Sequence, residues 1–135
     1  MARRQVPPTD VLITLMGAPH QSDLATSVLR LVQALLERGG RVQVWACGYA
    51  TMLTEEALGE YKPRDLSDLS ARHPTTAALV RAMLDEFPDR LFWYGCRFCS
   101  DDRGATHVPE VVMRAPHAFA ANLAAAGKTV MIGVI

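Results

Sequence analysis

Cys96 and Cys99 stand three positions apart in FWYGCRFCSDDRG, residues 92–104, where an apolar run stops. Two thiols at that spacing can hold a metal, exchange a disulfide, carry sulfur, or do no chemistry. A free thiol with a pKa near 8.5 is only about 3% thiolate at pH 7, and the thiolate is the nucleophile; a pKa of about 7 would leave it half ionised. If RFCSDDR winds into a helical turn, the turn's orphan amides and partial positive charge face the Cys96 sulfur, with Arg97 and Arg103 as neighbouring cations. Asp101 and Asp102 oppose that field, and at the start of a turn they act as caps. The net sign favours activation of Cys96. Gly104 reads as the left-handed stop of the turn. The plainer alternative is a short capped turn whose charges are simply solvated.

The elements that position these thiols follow from the hydrophobic pattern. Val11–Met16 is a short apolar run closed by Gly17 and Pro19, as a buried parallel strand reads. From Ser22 or Asp23, Leu24, Val28, Leu31, Val32 and Leu35 recur at helical spacing until Arg38, Gly39 and Gly40 stop the helix. Residues 41–47 form a second strand, so residues 11–47 make a right-handed βαβ unit. Pro74 opens a second helix with Leu79, Val80, Met83, Leu84 and Phe87 on one stripe, and residues 90–95 form a third strand. Residues 110–113, 116–126 and 129–132 read as strand, alanine-rich helix and strand. Residues 1–9 read as a disordered tail ahead of one domain at 10–135, with 48–73 as a lid-like surface excursion.

Strands alternating with helices predict an α/β fold: a single-domain, mostly parallel open sheet of about five strands with helices on both faces, flavodoxin-like. In such sheets ligands bind outside the carboxyl ends of the strands. All three cysteines, Cys47, Cys96 and Cys99, lie at or just beyond such ends. With a strand order 2-1-3, Cys47 and Cys96 would be about 9 to 10 Å apart across the first strand. A disulfide needs Cα atoms within about 7 Å, so Cys47 would be a packed, passive thiol. The loop carrying His20 would then lie beside Cys96, making His20 a candidate for handling its proton. Zinc would take Cys96 and Cys99, His107 as a third ligand, and a fourth that is missing unless Cys47 reaches across. Thioredoxin-like exchange is the runner-up, with two features against it. The pair falls late in the chain, and the Val108-Pro109 step follows too soon to face a disulfide.

Composition narrows the function classes. The chain has 135 residues, half of them hydrophobic, which suits one compact core. Fourteen basic and fourteen acidic side chains cancel, so no electrostatic case exists for nucleic acid or an anionic membrane surface. No apolar segment reaches the roughly 18 residues of a membrane span, and the amino terminus lacks the apolar stretch of a signal peptide. The expected location is the cytoplasm, where an odd number of cysteines argues for reactive or metal-binding thiols over a disulfide framework.

The chain resembles the DsrE/DsrF-like family of small sulfur-relay proteins, which includes the TusBCD type. Three places carry the resemblance: MGAPHQSDLATSVLRLVQALLERGGRV after the first strand, CRFCSDDRG with its downstream Arg-Gly, and the closing KTVMIG. It spans about residues 11–134. It implies that Cys96 accepts sulfane sulfur as a persulfide and passes it to a partner thiol, with no metal and no organic cofactor. It also implies sulfur-donor and sulfur-acceptor proteins as partners, and assembly as a trimer or hexamer or with related subunits. Cys99 departs from the simplest carriers, since a neighbouring thiol could resolve the persulfide and release hydrosulfide. A dithiol exchanger, a zinc-binding protein and a non-catalytic interaction module on the same fold stay open.

Overall fold

The computed structural model describes residues 5–17, 23–62 and 65–133. Its five strands, β1 (Thr9–Met16), β2 (Val42–Cys47), β3 (Leu91–Cys96), β4 (Val112–Arg114) and β5 (Ala126–Ile132), form one parallel sheet in the order β4-β3-β2-β1-β5. Helix α1 (Leu24–Glu37) links β1 to β2, α2 (Thr76–Glu86) precedes β3, α3 (Arg97–Asp101) follows it, and α4 (Phe119–Ala124) precedes β5. The expected single-domain α/β architecture is therefore present.

The layering follows from the direction of each crossover. The steps from β1 to β2 and from β2 to β3 run the same way across the sheet, so right-handed connections put α1 and α2 on one face. There Val28, Leu29, Val32 and Leu36 of α1 and Val80 and Met83 of α2 pack on Ile13, Leu15, Val44 and Trp93. The return from β4 to β5 runs the other way, which sends α4 to the opposite face, against Leu12, Trp45 and Tyr94. Phe119 meets Trp45 edge-on at 5.0 Å between ring centroids. Buried Gln43 ties this face together, donating to Thr9 Oγ1 at 3.0 Å and to the Asn122 carbonyl at 2.9 Å, and accepting from Asn122 Nδ2 at 2.9 Å.

The order 2-1-3 is not the one found: β2, not β1, lies between its two numbered neighbours. Trp45 pairs with Tyr94 and Ala46 with Gly95, so Cys47 and Cys96 are one step further along adjacent strands. Side chains alternate in a strand, and residues 43, 45 and 47 of β2 share a face with 92, 94 and 96 of β3. Cys47 is thus beside Cys96, and no strand separates them.

Boundaries shift where pairing overrides local preference. The alanine-rich segment is helical only to Ala124, preceded by a 3-10 turn over Pro116–Ala118, because Ala126 already pairs with Thr9. Thr75 caps α2 by accepting from the Ala78 amide, whereas Asp23 makes no such side-chain bond at α1. Residues 1–4 lie outside the described chain, and Thr9 is already part of β1. The first part of the supposed excursion is body: 3-10 turns span Gly48–Thr54 and Glu56–Leu58, and Ala50, Thr51, Leu53 and Thr54 are buried. Beyond it, residues 65–73 are largely exposed. No helix among the described residues is long and apolar enough to cross a membrane.

Candidate thiol site

In a parallel sheet every carboxyl end falls on one edge, and β2 and β3 end there on Cys47 and Cys96. The chain leaves Cys47 through Gly48, whose φ of +60° lies in the left-handed region that favours glycine. It leaves Cys96 directly into α3, with Cys96 at the N-cap and Cys99 in the first turn. That turn carries Cys99 back over the end of β2. The Cys47 and Cys99 sulfurs are 3.8 Å apart, and all three sulfurs lie within 4.8 Å of one another. Cys96 is buried, and Cys47 and Cys99 are half-buried.

The three thiols are electrostatically unequal. Burial, followed by the repulsion and hydrogen bonding of Cys99, pushes Cys47 up to about 11. Burial also raises Cys96, even though the amides of Cys99 and Phe98 face its sulfur and work the other way. For Cys99 burial is again the largest influence and raises it. The Gly48 amide, hydrogen bonds from Cys96 and Cys47, and the Arg103 charge together outweigh burial, so Cys99 is lowered. The expected turn forms and its amides point at Cys96, but burial of that thiol, 4% exposed, raises it, whereas Cys99 is lowered.

Arg103 takes part where Arg97 does not. Its Nη1 donates to the Cys99 carbonyl at 2.8 Å, and its guanidinium stacks on Tyr49 at 4.1 Å from the ring centroid. Arg97 is exposed and lines a shallow hollow with Thr106, His107 and Pro109, away from the thiols. Asp101 and Asp102 sit at the carboxyl end of α3, exposed, so they are not caps at its start. Gly104 closes the turn at φ +60°, as expected, with its amide on the Asp101 carbonyl. His20 lies outside the described residues.

His107 is a clamp, not a ligand. Its Nδ1 is 3.0 Å from Thr54 Oγ1 and its Nε2 is 2.6 Å from Ser100 Oγ, so both ring nitrogens are engaged. Backbone bonds from Val108 to Thr54 and from Glu56 to Thr106 reinforce the attachment. The clamp fastens α3 to the segment that follows β2, holding Cys99 over Cys47. Burial lowers the His107 pKa, the neutral ring being the form that fits between two hydroxyls. His73 and His117 are exposed.

Sequence reasoning read Cys47 as a packed, passive thiol and missed Gly48, Tyr49 and the Thr54–His107–Ser100 clamp. The signal within reach was that Cys47 and Cys96 each end an apolar strand, but using it requires the strand order. The rim carries Tyr49 and Phe98, 59% and 66% exposed. A separate groove of about 770 Å³ between α1 and α2 includes none of the thiols in its lining.

No family model matches the chain, and no curated protein matches it. Among solved structures it is similar to the crystal structure of the YchN protein from E. coli, with a TM-score of 0.72 and 19% identity, covering 92% of this chain and 99% of that one. The likeness establishes a DsrE-like fold.

Proposed function

We propose that this protein is a persulfide carrier that moves sulfane sulfur between protein thiols. The observation that carries the reading is the convergence of three free thiols at the carboxyl ends of two central strands of a DsrE-like fold. The Cys99 thiolate attacks the outer sulfur of a donor persulfide; a new S–S bond forms to Cys99, the donor's S–S bond breaks, and the donor leaves as a thiolate. An acceptor thiolate then attacks the outer sulfur on Cys99, takes it as a new persulfide and releases the Cys99 thiolate. No oxidant or reductant is consumed.

The family resemblance assigns the sulfur to Cys96. In this reading Cys99, the thiol whose pKa is lowered, makes the attack, with Cys96 as a buried hydrogen-bond donor to it and Arg103 as the neighbouring cation. Cys47, held near pKa 11, stays protonated at neutral pH and is a poor resolving nucleophile, which preserves the bound sulfur. The exposed Tyr49 and Phe98 suit docking of donor and acceptor proteins, and Val130 and Met131, 39% and 65% exposed on edge strand β5, suit a subunit contact in a homo-oligomer.

Incubation with a persulfide donor followed by intact-mass measurement tests the reading. Wild type should gain one sulfur, Cys99→Ser should gain none, and Cys47→Ser should load normally. Absence of uptake by wild type and by Cys47→Ser would refute it. A second reading, reversible dithiol exchange, is favoured by the 3.8 Å between Cys47 and Cys99. It predicts a defined disulfide potential and no retained sulfur.

A further inference from the structure

We propose that Cys47, Cys96 and Cys99 together bind one soft monovalent cation of the Cu(I) class through three sulfurs. The donors come from three positions on rigid supports: the end of β2, the end of β3 and the first turn of α3. The two strands are interior to the sheet, and α3 is pinned by His107 through Ser100. The ligand geometry is therefore set before an ion arrives.

Distance and donor type select the ion. Metal–thiolate bonds of about 2.3 Å place ligating sulfurs about 3.8 Å apart in a tetrahedral set and about 4.0 Å apart in a planar trigonal one. The Cys47–Cys99 pair stands at 3.8 Å, and the other pairs lie within 4.8 Å, so closure of at most about 1 Å completes either arrangement. Among the described residues no histidine or carboxylate joins the three thiols. Both His107 nitrogens are engaged, and Asp101 and Asp102 lie at the far end of α3. Structural zinc takes four protein ligands, whereas an all-sulfur set of three suits a soft ion content with three donors. Half-buried Cys47 and Cys99 leave a route for the ion to enter and to leave by thiol exchange, and the displaced thiol protons pass to solvent. This site does not depend on sulfur transfer, although an ion bound there would occupy the same sulfurs.

The test is an anaerobic titration of the full chain with Cu(I) against a chromophoric copper chelator, with no sulfur donor present, followed by X-ray absorption spectroscopy. The expected result is one ion per chain with three sulfur neighbours. Cys47→Ser, changed at a half-buried position outside the Cys96–Cys99 pair, should keep two sulfur neighbours and bind at least tenfold more weakly. Cys47→Ala provides the same test should the hydroxyl disturb folding, with circular dichroism confirming a native spectrum. Two sulfurs in the wild type, undiminished affinity in both Cys47 variants, no copper taken from the chelator, or preferential four-coordinate zinc binding would each overturn the proposal.

Discussion

Cys47 and Cys99, 52 residues apart in the chain, hold their sulfurs 3.8 Å apart because β2 and β3 are neighbours and α3 folds its first turn over the end of β2. A close thiol contact therefore lies outside the Cys-x-x-Cys motif that draws the eye in the sequence.

Mild oxidation should form the Cys47–Cys99 disulfide. The expected signature is a loss of two hydrogens and a crosslinked peptide pair on mass mapping. A loop of this length predicts stabilisation of up to about 4 kcal/mol over the reduced form, measurable by denaturant unfolding. Predominant Cys96–Cys99 crosslinking would contradict the geometry.

Alkylation at neutral pH should modify Cys99 first, since its pKa alone is lowered while those of Cys47 and Cys96 are raised. Arg103→Ala should slow that reaction severalfold by removing the nearby positive charge and the bond to the Cys99 carbonyl. Faster labelling of Cys96 in the wild type would show the ionisation order to be wrong.

His107→Ala should destabilise the fold by about 1 to 2 kcal/mol, because the buried hydroxyls of Thr54 and Ser100 lose their imidazole partners and keep only longer bonds, 3.4 and 3.3 Å, to the Thr51 and Ala105 carbonyls. The pH dependence has a definite sign. The folded pKa of His107 is below its ordinary 6.5, so below that pH the unfolded chain binds more protons than the folded one. The stability held at neutral pH should fall as pH drops from 6.5 toward the folded pKa, then stop changing on this account. Denaturant midpoints of wild type and His107→Gln across that range would check it, the variant lacking this component of the slope.

Gly104→Ala should cost about 1 to 2 kcal/mol, since a φ of +60° strains any residue carrying a Cβ. A Cβ there meets no atom within 4 Å, so the cost is conformational and not steric. A melting temperature unchanged within error would count against the left-handed stop.

The sequence by itself determined the alternation of strands and helices, the turn from Cys96 through Asp101, and the glycine that ends it, because periodicity, capping and left-handed stops are local properties. It also identified the carboxyl ends of the strands as the place to look. Strand order is a different kind of fact: buried parallel strands such as VLITLM and VQVWAC are nearly interchangeable as apolar runs, and nothing local in them states which will be neighbours. Only tertiary packing placed β2 against β3, bringing Cys47 to the other two thiols, and only that packing sets the Gly48 amide, the two neighbouring thiols and Arg103 around Cys99, which lower it against burial while burial raises Cys96, because such contacts depend on everything packed around a sulfur and not on its neighbours in the chain.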